Sequence, residues 1–322
     1  MTHSPATHRL LEMLSLDVPI IQAPIGPAAT PPLVNAVASA GALGMFAGSA
    51  LGPERLAQSL SQVAPENIKR CAVNIINAMP GDALIDVALS AGVRTFSFFW
   101  GINDALMARV KDAGGTVLQT IGAPSETRPA RDAGADVLVA QGWEAGGHVW
   151  GETATMALLA PVVAEAGEAP VVAAGGIASA QAMQAALAAG AAGVWMGTRF
   201  LASAESGAHP AYKEAVVAAS AEDTLHTTLF DVGWPDAPAR VLTNSTVKAW
   251  QAAGCPDKER RPGAEDVVGH MPDGTPIPRY FVDIPTHETT GNVETMAHYA
   301  GQSVSQITNI LPAAQIIQHI LV

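Results

Sequence analysis

Five Ala-Gly dipeptides, at 40–41, 91–92, 113–114, 133–134 and 189–190, are each followed within a few residues by an apolar run. Glycine tolerates the left-handed conformation that ends a helix, and a buried strand after a short turn completes a unit of about 20–25 residues. Eight strand-like runs follow this phase: Val18–Gly26, Ala42–Gly48, Cys71–Ile76, Thr95–Gly101, Thr116–Gly122, Asp136–Gly142, Pro170–Gly176 and Gly193–Phe200. Helix-compatible stretches follow them at Pro31–Ala40, Pro53–Val63, Asp82–Ser90, Asn103–Asp112, Ser125–Ala133, Thr153–Glu165, Ser179–Ala189 and Pro210–Ala219. Asn103 and Ser179 suit N-caps, and Pro31 and Pro53 suit a first helical turn. Strand and helix alternating eight times predict an α/β fold, a closed (β/α)8 barrel.

Composition agrees with a large parallel sheet. Of 322 residues, 49% are hydrophobic, 14% charged and 5% aromatic, so the apolar mass is aliphatic. The formal net charge of −12 excludes a nucleic-acid partner, which needs a basic footprint. Cys71 and Cys255 stand far apart with no Cys/His cluster, so neither a disulfide framework nor a metal site is expected. No stretch approaches about 18 uninterrupted apolar residues, and Met1–Leu16 lacks the pattern of an export signal. The expectation is a soluble cytoplasmic protein without a membrane partner. Residues 1–220 with 293–322 read as the barrel and a terminal helix, and 221–292, rich in Pro, Gly and Asp, as an irregular cap inserted on the substrate side. The apolar terminal helix, with Ile307, Ile310 and Leu311, hints at a homodimer.

In such a barrel chemistry gathers at the C-terminal strand ends. Those ends hold Ala23-Pro24-Ile25, Asn74, Gln119, Gln141 to His148, Gly175-Gly176 and Met196-Gly197-Thr198. Small residues leave room for a large flat ligand and let backbone amides approach it. Gly175-Gly176 and Gly197-Thr198 end the seventh and eighth runs, where barrels of this kind cradle phosphate on N–H groups. Arg199 adds charge there or serves as a structural ion-pair partner. Asn74 and Gln119 read either as core amides tying loops together or as partners for the polar edge of a heterocycle. In Gln141-Gly-Trp-Glu-Ala-Gly-Gly-His148, Ala145, Gly146 and Gly147 carry His148 on a tight loop at the barrel mouth, as a group able to move a proton near neutral pH. Glu144 orients that loop, tunes His148 or is a solvated charge. Trp100, Trp143 and Trp150 read either as apolar walls of a pocket or as loop packing.

The ordered motifs Gln-Gly-x-Glu-Ala-Gly-Gly-His, Ala-Ala-Gly-Gly-Ile and Met-Gly-Thr-Arg-Phe resemble the nitronate monooxygenase family, formerly the 2-nitropropane dioxygenases. The likeness runs from Pro19 to about Lys213 and resumes at Tyr299-Ala-Gly-Gln-Ser-Val. Many relatives carry Met where this chain has Ile25. The resemblance implies an FMN-dependent TIM barrel with the phosphate on Gly175, Gly176, Gly197 and Thr198, and the isoalloxazine near Ala23, Pro24, Ile25, Asn74 and Gln119. Gln141, Ala145, Gly146, Gly147 and Met196 complete the implied cofactor site. His148 would deprotonate a nitroalkane or hold its nitronate, which FMN and O2 convert to a carbonyl compound and nitrite. The same motifs are similar to the FMN-dependent enoyl-acyl-carrier-protein reductases, so an NAD(P)H-dependent reductase of enoyl thioesters or quinones is the alternative.

Overall fold

Gly41, Gly92, Gly114, Gly134 and Gly190 all take positive φ, between 71° and 103°, in the computed structural model of the protein, which describes residues 3–322. Each ends a helix in the left-handed conformation, and the chain then enters a strand. The strands are β1 (Ile20–Gln22), β2 (Gly44–Ala47), β3 (Cys71–Ile76), β4 (Thr95–Phe99), β5 (Thr116–Ile121), β6 (Val137–Gln141), a two-residue β7 (Gly147–His148), β8 (Val171–Ala174) and β9 (Gly193–Met196). All but β7 form one parallel sheet of eight strands, and each lies within one of the eight expected runs. The sheet closes between β1 and β2 through the Ile21–Leu43 bridge. Buried Gln22 fills the seam: its Nε2 donates to Met45 O at 3.1 Å, and Met45 N donates to its Oε1 at 2.9 Å. The seam therefore leaves no orphaned backbone groups at these positions.

Strand parity divides the core. Leu43, Met45, Ala72, Leu118, Val139, Val172 and Trp195 form the barrel interior. Phe46, Val73, Phe96, Phe98 and Val117 alternate with them and pack outward against the helices. Each fully buried phenylalanine contributes roughly 2–3 kcal/mol. A helix that the sequence reading left out, Pro5–Leu14, is capped by Ser4 Oγ on Thr7 N and plugs the barrel floor with Leu10 and Leu14.

The segment 221–292, read above as irregular, carries short regular elements. Strands β10 (Thr224–Thr227) and β11 (Ala239–Leu242) are antiparallel, and β11 also pairs with β7, setting Ala239 opposite His148. Helix Ser245–Ala252 follows, then a second small sheet of β12 (Val267–His270), β13 (Pro276–Pro278) and β14 (Thr290–Gly291). In the last segment the α-helix is confined to Ala313–Leu321, where Ile316, Ile317 and Ile320 join the core beside Leu33 and Val37. Ile310 is exposed. Among the described residues no helix is long and apolar enough to cross a membrane, and no group of three acidic, Cys or His side chains could hold a metal ion.

Candidate active site

A cavity of about 430 Å³ opens at the C-terminal ends of the strands, between the barrel and the cap. The loop after β6 enters it under tight backbone constraint. A Cβ on Gly142 would stand 2.0 Å from Thr155 Oγ1, and one on Gly146 would stand 2.2 Å from Gly301 N. Glycine is required at both positions because the opposing atoms belong to backbone or to a helix cap. Gln141 clasps the two ends of the loop, donating from Nε2 to His148 O and accepting at Oε1 from Trp150 N, both at 3.0 Å. Glu144 turns away from the imidazole to cap helix Thr155–Glu165, its Oε2 accepting from Thr155 N and Thr155 Oγ1 at 2.8 Å each. Its role is to hold the loop.

His148 lies on the cavity wall, packed at a tilt against Trp234 with ring centroids 4.1 Å apart. Tyr299 lies 5.5 Å away and Trp100 6.0 Å away on the same measure. Burial among these rings lowers the imidazole pKa from 6.5 to about 4. The ring is therefore neutral near pH 7, and its Nε2 has no hydrogen-bond partner among the described residues. That nitrogen is buried, and the ring as a whole is a neutral imidazole on the cavity wall, a group chemically able to accept a proton.

At the other side, Gly175 and Gly176 take φ of +108° and +72° where β8 ends. The N–H groups of Gly175, Gly176 and Gly197 bond to no other backbone group among the described residues. Thr198 accepts from Gly301 N at 3.0 Å, which leaves its hydroxyl proton for a ligand. This is a cradle of amide and hydroxyl donors suited to a phosphate ester. Open space lies beyond Gly26 and Gly147, where an added Cβ would meet nothing within 4 Å. The donor set and the free volume thus fit a phosphate-bearing flavin.

Ala23, Pro24, Ile25, Asn74, Gln141, Ala145, Gly146, Gly147, His148, Gly175, Gly176, Gly197 and Thr198 all line the cavity. Gln119 and Met196 do not. Both have outward parity on their strands. Gln119 Nε2 donates to Gly101 O at 3.0 Å and to Thr120 O at 2.8 Å, so this amide ties loops together. Met196 is buried with Ile20, Val194 and Phe200. Their inward neighbours, Thr120 and Trp195, reach the cavity instead. Counting by twos from Asn74 and the glycine ends would have found them. Arg199 also faces away, bonded to Ala202 O and Asn309 O at 2.9 and 2.6 Å, and burial lowers its pKa to about 10. Trp143 packs under Arg240, 5.1 Å from ring centroid to guanidinium, outside the cavity. Trp234, Phe281, Val282 and Asp283 of the cap, with Tyr299 and Ser303, complete the wall. No motif in 221–292 announced them.

A closed eight-stranded barrel with amide donors after its last two strands and an imidazole on the same cavity wall suits a flavin-dependent oxidoreductase, and the relatives of the chain are of that class. The chain belongs to the nitronate monooxygenase family, whose sequence profile matches residues 7–67 and 64–322. It is 37% identical, over 74% of its length and 67% of the relative's, to (3aS,4S,5R,7aS)-5-hydroxy-7a-methyl-1-oxo-octahydro-1H-indene-4-carboxyl-CoA dehydrogenase of Mycobacterium tuberculosis. Nitronate monooxygenase of Pseudomonas aeruginosa is 29% identical, over 97% of both chains. The solved structure of FabK from Thermotoga maritima superposes with a TM-score of 0.83 at 34% identity, covering 97% of this chain and 94% of that one.

Proposed function

We propose that the protein binds FMN and oxidises nitroalkanes through their nitronates, using O2 and yielding a carbonyl compound and nitrite. One observation carries this reading: the neutral His148 ring on the wall of the cavity that the phosphate cradle also lines. Gly175, Gly176, Gly197 and Thr198 would hold the phosphate, and Ala23, Pro24, Ile25 and Asn74 would face the ring system. When bound, FMN supplies the electron acceptor. His148 takes a proton from the carbon bearing the nitro group: the C–H bond breaks, an N–H bond forms on the imidazole, and the electron pair spreads onto the nitro oxygens. Trp234 and Tyr299 keep water from the imidazole, so the acid formed does not exchange its proton with bulk solvent before the product leaves.

An acyl-thioester substrate is the second reading, favoured by the 37% identity to a dehydrogenase of a carboxyl-CoA ester. Its α-hydrogen is a carbon acid that the same base would remove.

Anaerobic mixing of the flavin-loaded protein with a nitronate, a nitroalkane or NADH, followed by flavin absorbance, tests the assignment. Bleaching by nitronate and nitroalkane is the expected result. Bleaching by NADH with no response to either nitro species would overturn it in favour of a reductase. His148→Ala should cripple turnover of nitroalkane far more than that of preformed nitronate, and equal loss on both would remove His148 from the role of base.

A further inference from the structure

Three of the six tryptophans of the chain form one line from the cavity to the surface. Trp234 stands in the cavity wall. Its ring centroid lies 5.0 Å from that of Trp100, with the planes at 64°, and Trp100 lies 4.9 Å from Trp150, with the planes at 69°. Both are edge-to-face contacts at the spacing that aromatic pairs prefer. Trp150 is the outer end, 37% exposed. There its indole N–H donates to Glu126 Oε1, while Glu126 Oε2 is anchored by Gly122 N at 2.7 Å. The middle member is held under strain. Trp100 takes φ +71° and is the only aromatic residue among the described non-glycine residues of positive φ. A bulky side chain there is an outlier that costs about 1–2 kcal/mol. Such strain persists where the surroundings impose it, and here it brings the indole against Trp234 and Trp150 at once.

We propose that Trp234, Trp100 and Trp150 are an electron relay that carries oxidising equivalents out of the cavity: when a peroxyl radical arises there, the line delivers an electron to it from the surface. The radical takes that electron from Trp234 and a proton from water, and becomes a closed-shell hydroperoxide. Trp234 regains an electron from Trp100, and Trp100 from Trp150. The oxidised Trp150 then gives its indole proton to the Glu126 carboxylate: the N–H bond breaks, an O–H bond forms, and a neutral radical stands at the surface. Glu126 returns the proton to solvent, which balances the one taken up in the cavity. A soluble thiol restores the hydrogen atom to the indole nitrogen and leaves as a thiyl radical. The direction follows from solvation, since the positive charge of an oxidised indole costs least at the exposed end beside a carboxylate. Two other rings of the cavity wall lead nowhere. Trp195 sits among apolar, non-aromatic side chains of the barrel interior. Tyr299 donates its hydroxyl to the Val282 carbonyl, which takes no proton, and burial raises its pKa. The relay shields His148, whose ring packs against Trp234. It requires a flavin in the cavity but not the nitroalkane reading.

The test is anaerobic flash excitation of the flavin-loaded protein, with a cobalt(III) ammine complex present to take the electron that the excited flavin gains. Transient absorption and electron paramagnetic resonance follow the radical left on the protein. Working without oxygen excludes singlet oxygen, which attacks any exposed tryptophan. Wild type should show a long-lived neutral tryptophanyl radical whose decay quickens with added mercaptoethanol. Trp100→Phe should abolish the long-lived signal, because a radical confined to Trp234 recombines before the cobalt complex acts. Trp150→Phe should leave a radical that the thiol does not reach. Glu126→Gln should leave one that keeps its proton and absorbs as the radical cation. If Trp100→Phe fails to hold flavin, Trp150→Phe, changed at the surface, decides. No long-lived radical in wild type, or a thiol-quenched neutral radical in either of these two variants, overturns the proposal. Light takes the place of substrate, so the outcome is separate from the nitroalkane assignment. If the radical follows the line while neither 1-nitropropane nor its nitronate is oxidised, the relay stands and the nitroalkane reading fails.

Discussion

Trp234 of the cap lies against the imidazole of His148 of the barrel loop, with ring centroids 4.1 Å apart and planes tilted by 33°. The contact makes the cap a part of the acid–base machinery, because burial by such rings is what lowers His148 to about 4. Trp234→Ala admits water to the ring, so its pKa should climb back toward 6.5. In the proposed mechanism the neutral imidazole is the base, so wild-type kcat/KM should hold level down to about pH 4. In the variant the acid limb should move up by roughly one to two pH units. A superimposable pH profile would show that Trp234 does not set this pKa.

His298 shares the same depression, to about 4, from burial, and stacks on Tyr212 at 4.3 Å. In the unfolded chain both histidines titrate near 6.5, so between pH 6.5 and 4 the unfolded state binds protons that the native state declines. Their contribution is present above pH 6.5 and is lost as pH falls through about 4. A shift of this size is worth on the order of 3 kcal/mol for a fully buried ring, and less for His148, which is partly exposed. His298→Phe should keep the stack and flatten the acid decline of Tm, although the midpoint at neutral pH drops through loss of the bond to Val293 O. Thermal melts from pH 4 to 7 decide it; parallel curves would refute the linkage.

Two adjacent glycines should respond differently to alanine. At Gly146 the new Cβ meets Gly301 N at 2.2 Å and Ala300 C at 2.5 Å, and neither backbone atom can step aside cheaply. At Gly147 the space is open, and the cost is that of φ +74° alone. Gly147→Ala should cost about 1–2 kcal/mol. Gly146→Ala should cost more than that and also strip flavin, because the loop must leave the 300–301 segment. Denaturant midpoints and flavin stoichiometry after gel filtration separate the two outcomes.

Gln141 spends its amide on the backbone of the loop it precedes. Gln141→Leu leaves His148 O and Trp150 N without their partner, at about 1–3 kcal/mol of stability. The imidazole is then less well aimed, and kcat should fall by tenfold or more while flavin content stays near wild type. Flavin loss equal to the activity loss would assign Gln141 to cofactor binding instead.

The barrel was legible because its signal is repeated: each left-handed glycine closes a helix, and each apolar run that follows is too short to be anything but a buried strand. Parity inside those runs was not legible by eye. Gln119 and Met196 look like site residues from their position near strand ends, yet one step along the pleat puts Thr120 and Trp195 in the cavity instead. Helix Pro5–Leu14 went unread although Leu10, Leu11, Met13 and Leu14 cluster in it, because it precedes the first Ala-Gly unit and belongs to no repeat. The cap wall escaped altogether. Trp234 and Asp283 come together with Tyr299 only through long-range packing; nothing local marks the first two, and Tyr299 is marked only as the start of the resumed family likeness.

The pairing of Ala239 with His148 across β11 and β7 has a mechanical consequence. His148 is stitched by main-chain pairing to β11, the strand that follows Trp234, whose indole packs against its ring, so the loop and this part of the cap are tied together. A swing that opened the cavity by lifting β11 would drag the imidazole out of register with the flavin. Turnover should therefore proceed without a slow closure of β11 over the cavity in each cycle.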